Sequence, residues 1–294
     1  MLEFKKADIN DLEVIKEYYV RFKEFSCENT AVNILTWQNK FGFEFCVFED
    51  MLFTKVKYGK NYVFCLPAAK NMKRAVELLK EYCESLKISL DFIGAEGERL
   101  DLFKEIFEEA FTFVEARDSF EYIYSSEQLA NLSGKKLHSK RNHISSFKKK
   151  YNWSYEELKP ENLNQALLMT EQWYNLNSEK SDKFMQIERD SVKLIFDNFE
   201  KIDIKGGILK VDEKIVAVTF GSEINSEVFD VSYEKALTGY DGAYTMINNC
   251  FAAQTLKDYS LINREDDMGL EGLRKAKLSY KPQILLKKYL IREK

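Results

Sequence analysis

The 294-residue sequence is poor in the residue types that mark several common classes of protein. It has 3 Pro and 12 Gly, and 45% of its residues are hydrophobic. This composition is typical of an ordered globular chain and excludes a long flexible tail, because disordered chains lack the apolar surface that offsets chain entropy. A chain of this length is expected to split into domains of about 100–200 residues each. We therefore expect two lobes.

Long apolar runs and an export signal are also missing. Uncharged stretches such as 62–69 are far shorter than the ~20 apolar residues of a membrane-spanning helix. The first eight residues have neither the basic flank nor the apolar centre of a signal peptide. We expect a cytoplasmic protein without a membrane span.

Cysteine, histidine and net charge exclude further classes of function. The five cysteines include no Cys-x-x-Cys pair, and His138 and His143 are the two histidines. Neither a disulfide framework nor a zinc or histidine-based metal centre is indicated, so we expect no metal and a reducing compartment. The net charge of −4 is mild, so a polyanionic partner must be bound by a local patch.

The order of strand-like and helix-like segments occurs twice along the chain. Each half begins with three segments that predict an antiparallel meander. They are 43–48, 51–56 and 61–66 in the first half, and 206–211, 215–222 and 227–234 in the second. A helix, a strand, a helix and a strand follow in each half: 71–87, 88–93, 98–110 and 119–124, then 243–258, 259–264, 271–279 and 284–291. The repeat, displaced by roughly 170 residues, predicts an α+β fold of two lobes, 1–125 and 126–294, each a mixed, mainly antiparallel sheet flanked by helices.

The two copies differ where the third strand meets the following helix. Residues 66–71 of the first copy contain no glycine, whereas the second copy has Gly239 and Gly242. Glycines at a helix N-terminus allow backbone amides to turn toward a phosphate, although they can also merely shape a turn. We predict that the second lobe binds the donor and that the first lobe has lost this ability. The predicted donor-binding loop consists of Gly239, Tyr240, Gly242, Ala243 and Tyr244.

Polar side chains alternate along the third strand of the second copy. Asp230, Ser232 and Glu234 point to one face by the two-residue period of a strand. This face is either exposed to solvent, as is common in antiparallel sheets, or the wall of a cleft. In a cleft, Glu234 is a candidate general base because it lies nearest the glycine loop.

The densest polar segment joins the next strand to the helix at 271–279. Its consecutive carboxylates Glu265, Asp266 and Asp267 repel one another unless cations or a helix N-terminus offset them. They either cap the helix and form surface ion pairs or belong to a site in which Asp266 is a second candidate base. The offsetting cations are Arg264, Arg274 and Lys277.

Residues 134–150 carry seven Lys or Arg and no acid. Leu137, Ile144 and Phe147 give this segment an apolar stripe, so we predict a docked helix with a basic outer face. That face is either simply solvated or binds phosphate of a nucleotide, a tRNA acceptor arm or a lipid headgroup. The donor-binding candidates on it are Lys140, Arg141 and Asn142.

These segments together resemble a known family over nearly the whole chain. The motif at 140–143, the loop at 242–244 and the run at 264–274 are similar to the C-terminal domain of phosphatidylglycerol lysyltransferase. A closing pattern of Lys, Phe, Pro and Arg-Tyr-Leu in that family is similar to Lys277, Tyr280, Pro282 and Lys288-Tyr289-Leu290 here. The sequence departs from the family at 271–273, where the family has Ala-Pro-Leu, and at Ser279.

The resemblance implies two tandem GNAT-like lobes, as in Fem-type peptidyl-transferases. It also implies transfer of an acyl or aminoacyl group to an amine or hydroxyl, with Glu234 or Asp266 as base and amides near Gly242 stabilising developing charge. Arg264, Glu265, Asp267, Arg274, Lys277 and Tyr280 are the candidates for substrate electrostatics.

The donor, acceptor and class of function remain open at this point. We favour an aminoacyl-tRNA donor because the basic helix concentrates positive charge. The alternative is an N-acetyltransferase that uses acyl-coenzyme A. Both donors are substrates, and we expect no tightly bound cofactor. The acceptor is a small molecule, a peptide or a lipid headgroup, and the last is compatible with peripheral membrane contact. A non-catalytic binding module is the second alternative. An enzyme should gather Glu234 and Asp266 near Gly242 around one pocket, whereas a module can leave them scattered.

Overall fold

The computed structural model describes residues 2–59, 61–178 and 183–294. These residues form two seven-stranded sheets with helices packed on them. The strands are β1 (Lys5–Lys6), β2 (Glu44–Phe48), β3 (Met51–Tyr58), β4 (Asn61–Phe64), β5 (Asp91–Ala95), β6 (Phe111–Glu115), β7 (Glu121–Ser125), β8 (Trp153–Glu157), β9 (Ile204–Val211), β10 (Lys214–Glu223), β11 (Val228–Ala236), β12 (Leu261–Asn263), β13 (Ile284–Leu286) and β14 (Tyr289–Glu293). The α-helices are α1 (Leu12–Tyr19), α2 (Ala31–Phe41), α3 (Met72–Leu86), α4 (Gly97–Phe107), α5 (Ser126–Asn131), α6 (His138–Lys150), α7 (Leu163–Leu176), α8 (Lys183–Asp197), α9 (Ala243–Cys250) and α10 (Glu271–Ser279).

Both sheets follow the same plan. The first has the order β1-β2-β3-β4-β5-β14-β6 and the second the order β13-β7-β12-β11-β10-β9-β8. In each, an antiparallel meander is followed by one parallel neighbour, β5 beside β4 and β12 beside β11, and then by antiparallel strands. The predicted α+β class, with mixed and mainly antiparallel sheets, is confirmed.

The two sheets exchange strands, which the sequence pattern did not predict. The strand predicted at 119–124 for the first lobe is β7, and it pairs with β12 and β13 of the second sheet. The strand predicted at 284–291 is two strands, of which β14 lies between β5 and β6 of the first sheet. Three further strands, β1, β6 and β8, were missed. Periodicity identifies a strand but not its pairing partners. The predicted division of the chain into two lobes between residues 125 and 126 stays a prediction, and β7 and β14 each lie in the sheet of the other lobe.

Buried charged groups join the exchanged strands. Glu121 on β7 forms an ion pair with Lys288, which directly precedes β14, and Lys288 is 1% exposed. The Lys288 Nζ also lies 2.9 Å from a carboxylate oxygen of Glu28. Burial would lower the pKa of Lys288, but the two carboxylates raise it well above its usual value. Removing one partner of a buried ion pair of this kind destabilises a fold by roughly 3–5 kcal/mol. The pair therefore holds β7 next to the residue that precedes β14.

A hydrophobic core shared by both lobes positions the helices around the second sheet. Apolar residues of α1 and α2, such as Ile15 and Val32, cluster with Val192 and Ile195 of α8 and with Phe220 of β10. Helices α2 and α8 are thereby held over one face of β11. Within the described parts of the chain, no helix has the length and apolarity needed to cross a bilayer.

Candidate functional site

A cleft opens in the second sheet where two parallel strands separate. β11 pairs with β12 from Val228 to Asp230, opposite Leu261 to Asn263. Beyond this point, residues 231–235 and 264–266 line one cleft of about 710 Å³. Helices α2, α6, α7, α8, α9 and α10 also contribute residues to its walls.

A bulge in the neighbouring strand shapes the floor of this cleft. The register of β10 against β11 shifts between Phe220 and Ser222. A Cβ on the intervening Gly221 would lie 1.8 Å from the backbone oxygen of Asp230. Only glycine permits this close approach of two backbones, so Gly221 positions the carboxylate-bearing part of β11.

Both candidate bases line this cleft, together with six other residues that the sequence singled out. Glu234 comes from β11 and Asp266 follows β12. The other six are Lys140, Tyr244, Arg264, Glu265, Lys277 and Tyr280. Gly242 is not among the lining residues, but Tyr244 and Thr245 of the following helical turn are.

Glu234 is held by an arginine and an amide. Its Oε1 lies 2.9 Å from the Arg264 Nη2, and its Oε2 accepts a hydrogen bond of 3.1 Å from the Asn248 Nδ2. The side chains of Glu234 and Arg264 are 11% and 15% exposed. The Arg264 guanidinium also lies over the Tyr280 ring, 5.0 Å from its centroid. Both oxygens of Glu234 are therefore engaged, which favours a positioning role over proton abstraction.

Asp266 is the less engaged of the two candidate bases. Its Oδ1 accepts a hydrogen bond of 3.1 Å from the Met268 backbone N–H, and within the described chain Oδ2 has no donor. Burial raises the pKa of the Asp266 carboxyl to about 6, although Lys277 acts in the opposite direction. Asp266 thus presents a carboxylate oxygen that an acceptor amine or hydroxyl can approach.

Lys277 supports the strand end beside Asp266. Its Nζ donates to the backbone oxygens of Arg264 and Asp266, and burial lowers its pKa. Glu265, between them, has a left-handed φ of 58° and accepts a 2.7 Å hydrogen bond from the Asn33 Nδ2. Burial raises the pKa of Glu265 to about 7. Of the described side chains, Cys27, Asp230 and Glu265 are grouped closely enough to hold a metal ion.

The predicted glycine loop packs against the basic helix α6. Gly242 has a φ of 88°, and a Cβ there would lie 3.0 Å from the backbone oxygen of His143. The Tyr240 ring contacts the Tyr151 ring in a tilted arrangement with centroids 5.6 Å apart, and Ala243 is buried in the same core. The Gly239 oxygen accepts a 3.2 Å hydrogen bond from the Tyr151 hydroxyl. These glycines serve the packing of α6 on α9, and of the five predicted loop residues it is Tyr244 that lines the cleft.

The candidate residues on α6 have different positions. The Lys140 Nζ lies 3.9 Å from the centroid of the Tyr280 ring, inside the cleft, and burial together with Arg264 lowers its pKa. Arg141 instead donates to backbone oxygens of Leu132 and Gly134, the second at 2.7 Å. Asn142 is exposed and lies 3.2 Å from the His138 ring. The outer face of α6 carries the exposed Lys148 and Lys149.

Asp267 and Arg274 lie outside the cleft in a buried ion-pair cluster. Arg274 donates to both oxygens of Asp267 at 2.8 and 2.9 Å, and the Arg117 Nη1 lies 3.2 Å away. Burial alone would raise the pKa of Asp267, but hydrogen bonds from Arg274, Tyr122 and Gly269 hold it well below its usual range. This cluster ties the segment before α10 to β7 through ion pairs and the Tyr122 hydroxyl, whereas the N-terminus of α10 has no side-chain cap.

Several cleft residues were missed in the sequence. They come from helices before and between the two repeats and carry no local motif: Asn33, Trp37, Trp173 and Glu188. Glu188 lies 2.7 Å from the Lys235 Nζ, and this Nζ is 4.7 Å from the Trp173 ring centroid. No signal in the sequence places these residues against β11, because their approach depends on the core shared by the lobes.

Three solved structures resemble the whole chain. A conserved protein of unknown function from Bacteroides thetaiotaomicron VPI-5482 is 35% identical, with a TM-score of 0.94 over 100% of both chains. L-PGS from Bacillus licheniformis is 14% identical, with a TM-score of 0.67 over 98% of this chain and 93% of that one. FemX is 9% identical, with a TM-score of 0.64 over 99% and 95%. At such identities the last two likenesses show the fold alone.

The fold is that of two tandem GNAT-like lobes, as the sequence predicted. A family profile described as phosphatidylglycerol lysyltransferase, C-terminal, matches residues 19–292. The chain belongs to this family, and the resemblance drawn from its motifs is confirmed.

Proposed function

We propose that the protein transfers an aminoacyl group from aminoacyl-tRNA to an amine or hydroxyl acceptor in the cleft of the second lobe. The observation that supports this most directly is the gathering of Glu234, Arg264, Asp266 and Lys277 around one cleft. A binding module has no need to place two carboxylates and two cations around one concave site, whereas acyl transfer needs a base and charge stabilisation together.

Asp266 is the proposed base. In the proposed reaction the acceptor nitrogen or oxygen attacks the ester carbonyl of the donor, and the acceptor proton passes to the free carboxylate oxygen of Asp266. The bond between the carbonyl carbon and the tRNA oxygen then breaks, and this leaving oxygen takes the proton from Asp266, which restores the carboxylate. Arg264 and the first turn of α9 provide positive charge toward the carbonyl oxygen. Glu234 orients Arg264 through their 2.9 Å contact.

The basic outer face of α6 is the proposed tRNA contact. Lys148 and Lys149 are exposed there, and Lys140 reaches from the same helix into the cleft. One helix therefore connects a surface suited to the phosphate backbone with the reacting centre. Arg141 is left out of this contact, because its guanidinium is bound to backbone oxygens.

The first lobe is proposed to serve acceptor binding or structure. Beyond the end of β4, the buried Arg99 guanidinium donates to the Leu66 oxygen and pairs with Glu24. This internal ion pair engages the end of the third strand of the first lobe. In the second lobe, the corresponding strand end borders the cleft. A depression lies over the glycine-free junction, but two of its cations, Arg21 and Arg74, are already paired with Asp50 and Glu49 at 3.0 Å.

The test combines tRNA binding with transfer of a radiolabelled amino acid. Mixed aminoacyl-tRNA is supplied with two acceptor probes, vesicles of phosphatidylglycerol and a lysine-containing peptide. We expect binding that weakens steeply with salt and label that moves to one of the probes. Asp266→Asn should lower transfer by about 10²–10⁴-fold, the range of general base catalysis, while leaving tRNA binding intact.

A pair of charge reversals provides the matched control. Lys148→Glu with Lys149→Glu should abolish tRNA binding, whereas Lys6→Glu with Lys73→Glu, two exposed lysines of the first lobe, should not. If tRNA fails to bind at low salt, or binds equally well to both double variants, the donor assignment is wrong. Transfer that survives Asp266→Asn would remove the base assignment alone.

A further inference from the structure

We propose that a divalent transition-metal ion, with Zn²⁺ the best match, binds between Cys27, Asp230 and Glu265 beneath the cleft. The Cys27 sulfur and one carboxylate oxygen from each acid all lie within 4.8 Å of one another. Cys27 comes from the first lobe, whereas Asp230 is on β11 and Glu265 follows β12. This proposal does not depend on the proposed transfer activity.

A fully buried, unpartnered oxygen points to a missing ligand in this cluster. Asp230 is 0% exposed. Its Oδ2 accepts hydrogen bonds from the hydroxyls of Ser232 at 2.5 Å and Thr30 at 3.4 Å, whereas Oδ1 has no partner among the described residues. A buried carboxylate oxygen without a donor costs free energy that a bound cation removes.

The charges around the cluster leave room for a cation. Glu121 is already offset by Lys288. Lys277, the other buried lysine nearby, directs its Nζ to backbone oxygens of residues 264 and 266. The partners of Asp230 are the neutral hydroxyls of Thr30 and Ser232, and Glu265 is bound by the neutral amide of Asn33. Asp230 and Glu265 therefore share a site in which neutral groups are their hydrogen-bond donors.

The protonation behaviour of the empty cluster agrees with this geometry. Burial raises the pKa of Asp230 well above its usual value, and the nearby Glu265 adds to the effect. Burial and then Glu121 raise the pKa of the Cys27 thiol in the same way. A bound metal ion would take the place of these protons, because metal ligands bind in their deprotonated form.

The donor set selects the class of metal. A thiolate with two carboxylates favours a borderline-soft ion such as Zn²⁺ over Mg²⁺ or Ca²⁺, which prefer oxygen ligands alone. Tetrahedral zinc with bonds of about 2.0–2.3 Å needs ligand separations of roughly 3.5 Å. The ligand atoms lie within 4.8 Å of one another, so they have to move together by up to about 1 Å on binding. On binding, the Cys27 S–H bond breaks, the S–Zn bond forms and the proton is released to solvent.

Metal binding would link the two lobes at the floor of the cleft. The ligand from the first lobe is Cys27, which is 6% exposed and donates its S–H to Glu121, 3.1 Å away. Glu265 is both a proposed ligand and a residue of the cleft wall. The ion would therefore fix the backbone of residues 264–266 against the first lobe.

The test uses Co²⁺ as a spectroscopic probe and Zn²⁺ as the competing ion. The full chain is stripped with a chelator, dialysed and titrated with Co²⁺. We expect one equivalent to bind with a thiolate-to-cobalt charge-transfer band in the near ultraviolet, Zn²⁺ to displace it, and Zn²⁺ to raise the thermal unfolding midpoint. Cys27→Ser should abolish the band, whereas Cys250→Ser, at a buried cysteine of α9, should retain it.

A second variant keeps the test decisive if Cys27→Ser does not fold. Glu265→Gln alters a partly exposed side chain and should lower the affinity for Zn²⁺ by more than about tenfold. Loss of a residue that only hydrogen-bonds to a metal ligand already lowers affinity by about ten- to a hundredfold. Absence of Co²⁺ and Zn²⁺ binding by the stripped chain would overturn the proposal in favour of a proton held between Asp230 and Glu265. A band that depends on Cys250 rather than Cys27 would overturn it as well.

Discussion

At the residue scale, three carboxylates that are adjacent in sequence have three different environments. Asp267 is clamped by Arg274, Asp266 faces the cleft, and Glu265 lies beneath it. The sequence left open whether the run caps the helix and forms ion pairs or belongs to a site. Asp267 forms ion pairs, and a role of Asp266 in a site stays a prediction. The sequence could not show which carboxylate has which environment, because the partners Asn33 and Arg117 are more than a hundred residues away along the chain.

Glu96 is a buried carboxylate that is not among the lining residues of the cleft, and its environment has a measurable consequence. Its Oε1 accepts hydrogen bonds from the backbone N–H groups of Phe25 and Ser26 at 3.1 and 3.0 Å. Within the described chain its Oε2 has no partner. Burial raises the pKa of Glu96 from 4.5 to about 8, and the carboxylates of Glu24 and Glu121 add to this, whereas Lys288 opposes it.

Glu96→Gln should change how stability depends on pH. An acid whose pKa rises on folding stabilises the fold in its protonated form, so its contribution is complete below pH 4.5 and is lost as pH rises toward about 8. The glutamine variant cannot ionise and keeps the oxygen that accepts both N–H bonds. The free energy of unfolding of the variant minus that of the natural chain should therefore increase over this interval, measured by urea unfolding.

Glu98→Gln is the matched control, because Glu98 is an exposed carboxylate in the first turn of α4, two residues after Glu96. It separates the loss of one negative charge from the loss of a buried titrating group. A difference for Glu96→Gln that stays constant with pH, or one that follows the Glu98→Gln curve, would contradict the assigned environment of Glu96.

At the scale of elements, the sequence predicted most helices and strands but not their pairing. The three-strand meanders and helices α3, α9 and α10 agree with the predicted segments, since amphipathic period is a local property. The exchange of β7 and β14 is not local. It depends on the buried contact of Glu121 with Lys288, and nothing in either strand's own pattern specifies a partner in the other lobe.

Deletion of residues 289–294 should therefore destabilise the first lobe, although these residues end the second repeat. The deletion removes β14 from between β5 and β6. It also removes the side chain of Ile291, which is 0% exposed, and leaves a cavity in the core. Hydrogen exchange should show lost protection in β5 and β6, with β9 and β10 protected longer. Lys288 is retained, so the buried ion pair is not the cause.

The control for this deletion is Arg292→Ala, which alters an exposed side chain of β14 and should leave the exchange pattern unchanged. Equal loss of protection in both sheets would mean that the lobes unfold as one unit. Loss confined to the second sheet would contradict the observed strand order.

At the scale of the whole molecule, two lobes of the same fold are unequal. The first copy has no glycine at this junction, and loss of donor binding by the first lobe stays a prediction, whereas Gly242 of the second copy packs against α6. The cleft itself could not be predicted, because helices α2 and α8 reach β11 through a core that both lobes share. The family match is consistent with the proposed transfer chemistry in the second lobe.

The most direct test of that central proposal is the location of a bound donor analogue. The full chain is crystallised with a non-hydrolysable aminoacyl-adenosine, in which an amide replaces the ester. We predict density in the cleft between β11 and residues 264–266, with the amide carbonyl carbon placed so that an attacking group can contact Asp266. Density confined to the first lobe, beside residues 67–71, would contradict the account and assign the donor site to the other half of the molecule.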